Sequence, residues 1–592
     1  MTNRNGKAPR STDQQTPING FAPYLGMILV ALRAARERVA LYWLGGGLLL
    51  VIAATAYGQI RLNAWNQPFY DALARKDLAA IGEQLLVFTG IAITLLILNV
   101  SQTWLVQMTK LKLREGLTRD LFAQWLTPKR AFLIARSGEI GVNPDQRIHA
   151  DAQHLAEVST DLGVGLVQAS LLLVSFVGVL WTLSEGVTFS LLGAHIDIPG
   201  YMVWCALLYA ALASLASWRV GRPLVHLGAE RYARESEMRF ALMHVNAHGE
   251  AIAIHRGEEA EQARLRIEFD RLLDVLRQLV TATTNLAWVT AGYGWFTIVA
   301  PIIVAAPAYF AGNLTFGGLL MAVGAFTQAQ QSLRWFVDNA GVIADWRATL
   351  FRVGSFRQAL LDIDASAPDA ARITFTSTSR DRLLLENLEL YSPSGSTRLD
   401  ESHIEIAPQD HVLVIGEHGS GKTLLFRAIA GLWTSGRGNI SLPPANAVYF
   451  VPKRPYIADL ALRDILSYPA SSSDFSDEEY VAVLTRFGLA HLAGQLNRIP
   501  HWEKELTDAE QQGLAFARVL LHKPRFVIVD EAIESLSPEA RRTLFKVFAD
   551  ELAHAALVYI NGPQAQDRFF DRVLHLNLTP RGERQTVVKG SA

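Results

Sequence analysis

Residues 411–433 read HVLVIGEHGSGKTLLFRAIAGLW. An apolar run leads into a turn that holds Gly416, Gly419 and Gly421, and a helical pattern starts at Lys422 and Thr423. Glycines at such a turn let backbone N–H groups converge on an anion, the lysine adds a point charge for the outer phosphates, and the hydroxyl after it suits Mg²⁺. This strand–loop–helix order predicts a phosphate loop made of Gly416, Glu417, His418, Gly419, Ser420, Gly421, Lys422 and Thr423, with ATP and Mg²⁺ as cofactors.

Downstream, RFVIVDE at 525–531 carries an apolar strand to two carboxylates, Asp530 and Glu531. A carboxylate at a strand end next to a phosphate loop suits a metal-organising role, here Asp530 together with Thr423. A second one, Glu531, suits polarising the attacking water. Around these motifs, LLLENLELY, AVYFVP and ALVYIN alternate with helical segments, which predicts an α/β nucleotide-binding domain over 381–592.

Upstream the composition changes. The 592-residue chain is 50% hydrophobic and only 19% charged, which is too long for one domain and too apolar for an ordinary soluble protein. Six stretches, near 41–60, 86–107, 160–183, 199–218, 284–306 and 316–337, are long enough to span a bilayer core. The last is the most polar, through TQAQQSLRW, as a helix lining a water-filled path would be. Residues 1–40 are expected to be a tail plus an amphipathic surface helix in contact with membrane lipids. Residues 41–355 are expected to form the membrane domain, and the polar 356–380 a linker.

Lys and Arg number eight in 108–159 and ten in 219–283, but none occurs between the third and fourth or the fifth and sixth spans. The positive-inside rule then places both termini and the nucleotide-binding domain in the cytoplasm, and reads the two long loops as helical extensions of the spans. A cleavable secretory leader is not expected, because the first long apolar run follows RAARER at 33–38. A net charge of −1 gives no basis for nucleic-acid binding, and the single Cys205 can form no intramolecular disulfide.

The order of phosphate loop, LTDAEQQGLAFARVLLHKPRF and VIVDEAIESL resembles the cassette of ABC transporters. NAWNQPFYDAL at 63–73, NPDQRIHAD at 143–151 and RYARESEMRFALMHVNAHGEAIAIHRGEE at 231–259 resemble the membrane domain of bacterial SbmA/BacA and YddA-type proteins, relatives of the peroxisomal ABCD half-transporters. The resemblance implies a six-helix transmembrane domain of the ABC exporter-like type followed by a P-loop cassette. It implies a bacterial inner-membrane location, and a dimer formed with a second copy or a related half-transporter. It also implies bulky hydrophilic cargo such as peptides or a corrinoid.

In that family each ATP is sandwiched between the phosphate loop of one chain and the signature of the other. The signature here reads Leu506, Thr507, Asp508, Ala509, Glu510, so Thr507 and Glu510 are the remaining candidates for contact with nucleotide. Both signature glycines are gone. A carboxylate at Asp508 placed about 5 Å from a phosphate charge would repel it by roughly 3 kcal/mol at an effective dielectric near 20. The Q-loop glutamine is replaced by Lys453, the run after Glu531 reads Glu534, Ser535, Leu536, Ser537, and Pro563 stands where a switch histidine is expected. Two readings stay open: an ATP-driven transporter, or a proton-coupled permease with a vestigial or regulatory cassette. Tyr391 is a candidate to stack on adenine, and Glu185 and Asp345 are candidates to relay protons.

Overall fold

Long apolar runs in a bilayer can satisfy their backbone only as helices, and the computed structural model forms them. It describes residues 26, 38–136, 141, 143–185, 188–191, 194–365, 372–377, 381–562 and 569–580. The chain divides into two units, Met1–Asp364 and Ala365–Ala592.

In the first unit the helices that carry the six apolar stretches are α1 (Arg38–Ala74), α2 (Leu78–Trp125), α3 (Ala152–Leu183), α4 (Tyr201–Ala247), α5 (Glu258–Phe310) and α6 (Phe316–Asp338). Among the described residues five, α1 to α5, are long and apolar enough to cross a membrane; the 40-residue segment Pro144–Leu183 supplies the third. The sixth, α6, packs on α1, α3, α4 and α5, and its polar side chains find partners there. Gln330 donates to the Tyr293 hydroxyl at 2.7 Å. At its start Asp71 accepts from Gly317 N at 2.8 Å and from the Thr315 hydroxyl at 2.9 Å. Gly324 lets α6 approach α1 closely, since a Cβ there would lie 2.3 Å from Asn63 Oδ1.

Helix contacts in this unit use small residues, with Ala305, Ala308, Ala322, Ala325 and Ala329 buried beside Phe176 and Phe326. Trp104, Trp288 and Trp295 point outward, which suits lipid and interface rather than water. The loops expected to be helical are helical: α2, α4 and α5 run well beyond the apolar stretches. A π turn at Arg147–Asp151 leads into α3.

One expectation is corrected. Helix α7 (Ala340–Ala365) continues through 356–365, which the sequence reading assigned to a linker. Phe356 and Leu360 are buried against Leu117, Leu121 and Leu155, and two ion pairs fasten the helix, Arg352 to Asp151 at 3.0 Å and Arg357 to Asp120 at 2.7 Å. Burial of that face outweighs the polar character of its other side. The expected surface helix lies almost wholly outside the described residues.

The second unit contains ten of the twelve strands described, the other two being a short hairpin of β1 (Thr188–Leu191) and β2 (Ala194–Asp197) in the first unit. They are β3 (Thr374–Ser377), β4 (Leu383–Ser392), β5 (Gly395–Leu399), β6 (His403–Ile406), β7 (His411–Gly416), β8 (Gly436–Leu442), β9 (Val448–Val451), β10 (Phe526–Asp530), β11 (Ala556–Asn561) and β12 (Arg572–Pro580). The sheet order is β3-β8-β4-β5-β12-β7-β11-β10-β9, with β6 on β4. Because β3 belongs to this sheet, the cassette begins near 374 rather than 381.

Strands β12, β7, β11, β10 and β9 run parallel. Leu413, Ile415, Val527 and Val529 face one core and Val412, Val414, Phe526 and Ile528 the other. A parallel sheet covered on both faces requires such unbroken apolar runs, and the ends of these strands are where ligands of open α/β sheets bind.

Candidate functional site

The carboxyl ends of β7, β10 and β11 and the segment after β9 converge on one place. The loop after β7 turns through Gly419 at φ +82° and Gly421 at φ +96° into α8 (Lys422–Ile429). Glu417 and His418 are exposed at its tip, while Ser420 is buried and its hydroxyl has no hydrogen-bond partner. Gly421 has a steric reason as well as a conformational one: a Cβ there would meet Thr397 Oγ1 at 2.8 Å. Lys422 Nζ folds back to donate to Gly416 O at 3.3 Å. A cavity of about 550 Å³ borders Gly416, Glu417, His418 and Ser420 and reaches Leu576 and Asn577 of β12.

Asp530 closes β10, with the Thr423 side chain near its carboxyl. Burial pushes the Asp530 carboxyl above its ordinary range, and the nearby Thr423 hydroxyl works against that. Its Oδ1 is buried without a partner. Two orphaned buried oxygens, on Ser420 and Asp530, next to a lysine and a left-handed glycine loop, fit a phosphate and a hard cation. ATP with Mg²⁺ therefore matches the donor set, Gly416–Thr423 being the residues that would hold the phosphates and Thr423 and Asp530 the metal.

Glu531 follows at φ +51°, a conformation that non-glycine residues rarely adopt and that clusters at functional positions. Its carboxylate lies between two ammonium groups, with Lys453 Nζ at 2.7 Å from one oxygen and Lys422 Nζ at 3.1 Å from the other. The Lys453 hydrogen bond, with that of Lys422, holds the Glu531 carboxyl below its ordinary range against the effect of burial.

Two family models fit this architecture, ABC transporter transmembrane region 2 over residues 29–310 and ABC transporter over 399–534. The chain belongs to the ABC transporter family. Similar proteins include an uncharacterized ABC transporter ATP-binding protein of Synechocystis, 29% identical over 90% of this chain and 81% of that one. The inner membrane ABC transporter ATP-binding protein YddA of Escherichia coli is 25% identical over 87% and 91%. The human lysosomal cobalamin transporter ABCD4 is 24% identical over 86% and 87%. A bacterial Atm1-family ABC exporter solved with ATP bound shares the fold, at TM-score 0.68 and 15% identity over 91% of this chain and 94% of that one. The chain is thus a multi-pass membrane protein of the ABCD- and YddA-like half-transporter type, a class that works as dimers.

Within this ABC half-transporter the signature residues have found partners of their own. Thr507 caps helix α9 (Asp508–His522) in a reciprocal capping box: its hydroxyl accepts from Glu510 N at 3.3 Å, and Glu510 Oε2 accepts from Thr507 N at 2.9 Å and from the hydroxyl at 2.7 Å. Glu510 also pairs with His491 at 3.1 Å. Asp508 is exposed in the first turn, where a carboxylate complements the helix dipole. Glu534 is exposed, and Ser537 caps the next helix through Ala540 N at 3.2 Å.

Pro563 lies outside the described residues. The last described residue before it, Gly562, faces the site: a Cβ there would lie 3.8 Å from Lys422 Nζ. Tyr391 is half-buried in β4, where it pairs with Ser396 of β5. Asp345 Oδ2 accepts from His154 Nε2 at 2.5 Å, Glu185 is exposed past the end of α3, and Cys205 is half-buried in α4.

Sequence reasoning missed three supports. Gln512 donates to Lys453 O at 2.5 Å. Buried Arg518 donates to Ile465 O at 2.6 Å and Tyr456 O at 2.8 Å, tying α9 to the segment after β9. Asn561 ends β11 with its Oδ1 buried and unpartnered. The polar residues of QQGLAFAR on an otherwise apolar helical face were the available signal.

Proposed function

We propose that the chain is one half of a dimeric inner-membrane transporter, with both termini and the cassette cytoplasmic, that moves bulky hydrophilic cargo such as peptides or a corrinoid. It works with a second copy of itself or a related half-transporter. ATP is held by Gly416 to Thr423, Mg²⁺ by Thr423 and Asp530, and Glu531 orients the attacking water, while Thr507 and Glu510 face the nucleotide of the partner chain. The observation that carries this reading is the convergence of Lys422, the orphaned Ser420 and Asp530 oxygens and Glu531 at neighbouring strand ends. A corrinoid enters as cargo because a relative covering most of the chain is named a cobalamin transporter.

Bound Mg·ATP supplies the phosphoryl bond whose cleavage drives the cycle. Hydrolysis is slow in this reading, since the signature lacks both glycines and Pro563 stands where a switch histidine is expected. The test is Mg·ATP turnover by the full chain in lipid nanodiscs beside Glu531→Gln, with cobalamin and peptide uptake into proteoliposomes. Turnover lost in the variant, and uptake that follows turnover, are expected; ATP-independent uptake refutes the reading.

A second reading is a proton-coupled permease with a regulatory cassette. It is favoured by the closed Thr507–Glu510 box, which spends the signature's polar groups on its own helix, and by the His154–Asp345 pair. It expects uptake to collapse with a protonophore while Lys422→Ala stays active, and uptake indifferent to the protonophore rejects it.

A further inference from the structure

Of the two ammonium groups on Glu531, Lys422 belongs to the phosphate loop, but Lys453 has no part in the roles assigned so far. A glutamine at 453 would offer a neutral amide that both accepts and donates, whereas a lysine offers only donors and a full positive charge. Its backbone is fixed, because Lys453 O accepts from Gln512 Nε2 at 2.5 Å and β9 is locked in parallel register with β10. Its side chain is 64% exposed and Glu531 only 18%, so the lysine covers the carboxylate from the solvent side.

A carboxylate orients water by accepting its O–H, and here each oxygen already accepts from an ammonium group, with Lys453 standing on the solvent side of the pair, across the path by which water reaches it. The left-handed backbone at Glu531 limits the directions in which the side chain can swing clear. Asp530 and Glu534 also attract the Lys453 ammonium, so it has acidic neighbours to move to once released.

We propose that Lys453 is a positioning residue that latches the Glu531 carboxylate in an ion pair, one that must open before the carboxylate can orient water. The latch thereby sets a low rate of hydrolysis. It rests on the reading of Glu531 as the water-orienting group. It accounts for a cassette that keeps its phosphate loop and both strand-end carboxylates yet replaces the neutral Q-loop residue with a cation.

The experiment uses the full chain in nanodiscs and measures kcat and KM for Mg·ATP together with ADP affinity by calorimetry. Because Lys453 is mostly exposed, the latch has the weight of a surface pair, and Lys453→Gln is expected to raise kcat on the order of threefold. ADP affinity should stay within about twofold, since the phosphate loop is untouched. Lys453→Arg, which can still pair, should keep the wild-type kcat, and Lys453→Gln with Glu531→Gln should be inactive. If wild-type turnover is below detection, the gain should appear as measurable turnover in Lys453→Gln alone. ADP binding that is normal with kcat unchanged or lowered in Lys453→Gln overturns the latch alone, as does a gain in Lys453→Arg equal to that in Lys453→Gln. Failure of every variant, wild type included, to bind ADP overturns the nucleotide reading and the latch with it.

Discussion

Gly421→Ala probes the phosphate loop through two separable costs. The first is conformational: at φ +96° an L-residue gives up roughly 1–2 kcal/mol against glycine. The second is steric: the new methyl would stand 2.8 Å from Thr397 Oγ1 and 3.2 Å from its Cγ2. Thr397 is buried, and its hydroxyl donates to Ser420 O at 3.0 Å. If it turns away, that bond is lost, at about 1 kcal/mol. Together about 2–3 kcal/mol must be spent to hold the loop in its anion-binding shape, which lowers nucleotide affinity on the order of 30- to 150-fold.

The assay is ADP titration by calorimetry on the full chain in nanodiscs, for Gly421→Ala, Thr397→Ala and the double variant. Thr397→Ala removes the obstructing hydroxyl and methyl, so the steric part disappears in the double variant while the conformational part stays. The double variant should therefore bind about fivefold more tightly than the product of the two single losses. An affinity for Gly421→Ala within twofold of wild type, or strict additivity in the cycle, would refute the account of why this position is glycine.

Thr507→Ala opens the capping box and should destabilise the chain by about 1 kcal/mol, read as a lower melting temperature, with Thr507→Ser restoring it; an unchanged melt means the box holds nothing together. The backbone N–H and hydroxyl of Thr507 hold the Glu510 carboxyl below its ordinary range, so its stabilisation is full above the range of an unfolded carboxylate and is lost as pH falls through the folded one. Melting temperatures of wild type and Glu510→Gln should accordingly draw together on acidification, and a gap that widens contradicts this sign. Arg357→Met strands the half-buried Asp120, whose carboxylate pairs with the buried guanidinium at 2.7 Å, at a cost of about 2 kcal/mol, below that of a fully buried pair. Thermal melts in detergent should show the loss, with Asp120→Leu added to Arg357→Met recovering most of it; no recovery would place the cost in packing rather than in the unpaired charge.

The phosphate loop, the strand-end carboxylates and the spans could be read from the sequence because each is a local code: strand, glycine turn and helix in succession, or an apolar run of bilayer length. What escaped depended on packing between distant segments. The polar look of 356–365 suggested a linker, yet Phe356 and Leu360 are buried against α2 and α3, and Asp120 and Asp151 are the partners of Arg357 and Arg352. Thr507 and Glu510 stand three apart, the spacing of a capping box, a local pattern that lies beside their likeness to a signature and that the structure makes explicit.

Lys453 illustrates the same limit from the other side. Its departure from the family pattern was visible as a single letter, but its partner is 78 residues away, and only the parallel pairing of β9 with β10 makes the two neighbours. A substitution that reads as damage when taken alone becomes, with its partner in place, an added interaction. The cassette therefore carries a charged contact on Glu531 alongside a 506–510 run without glycine. Loss of function alone would not require a cation at that position, since any residue unable to accept a hydrogen bond would serve.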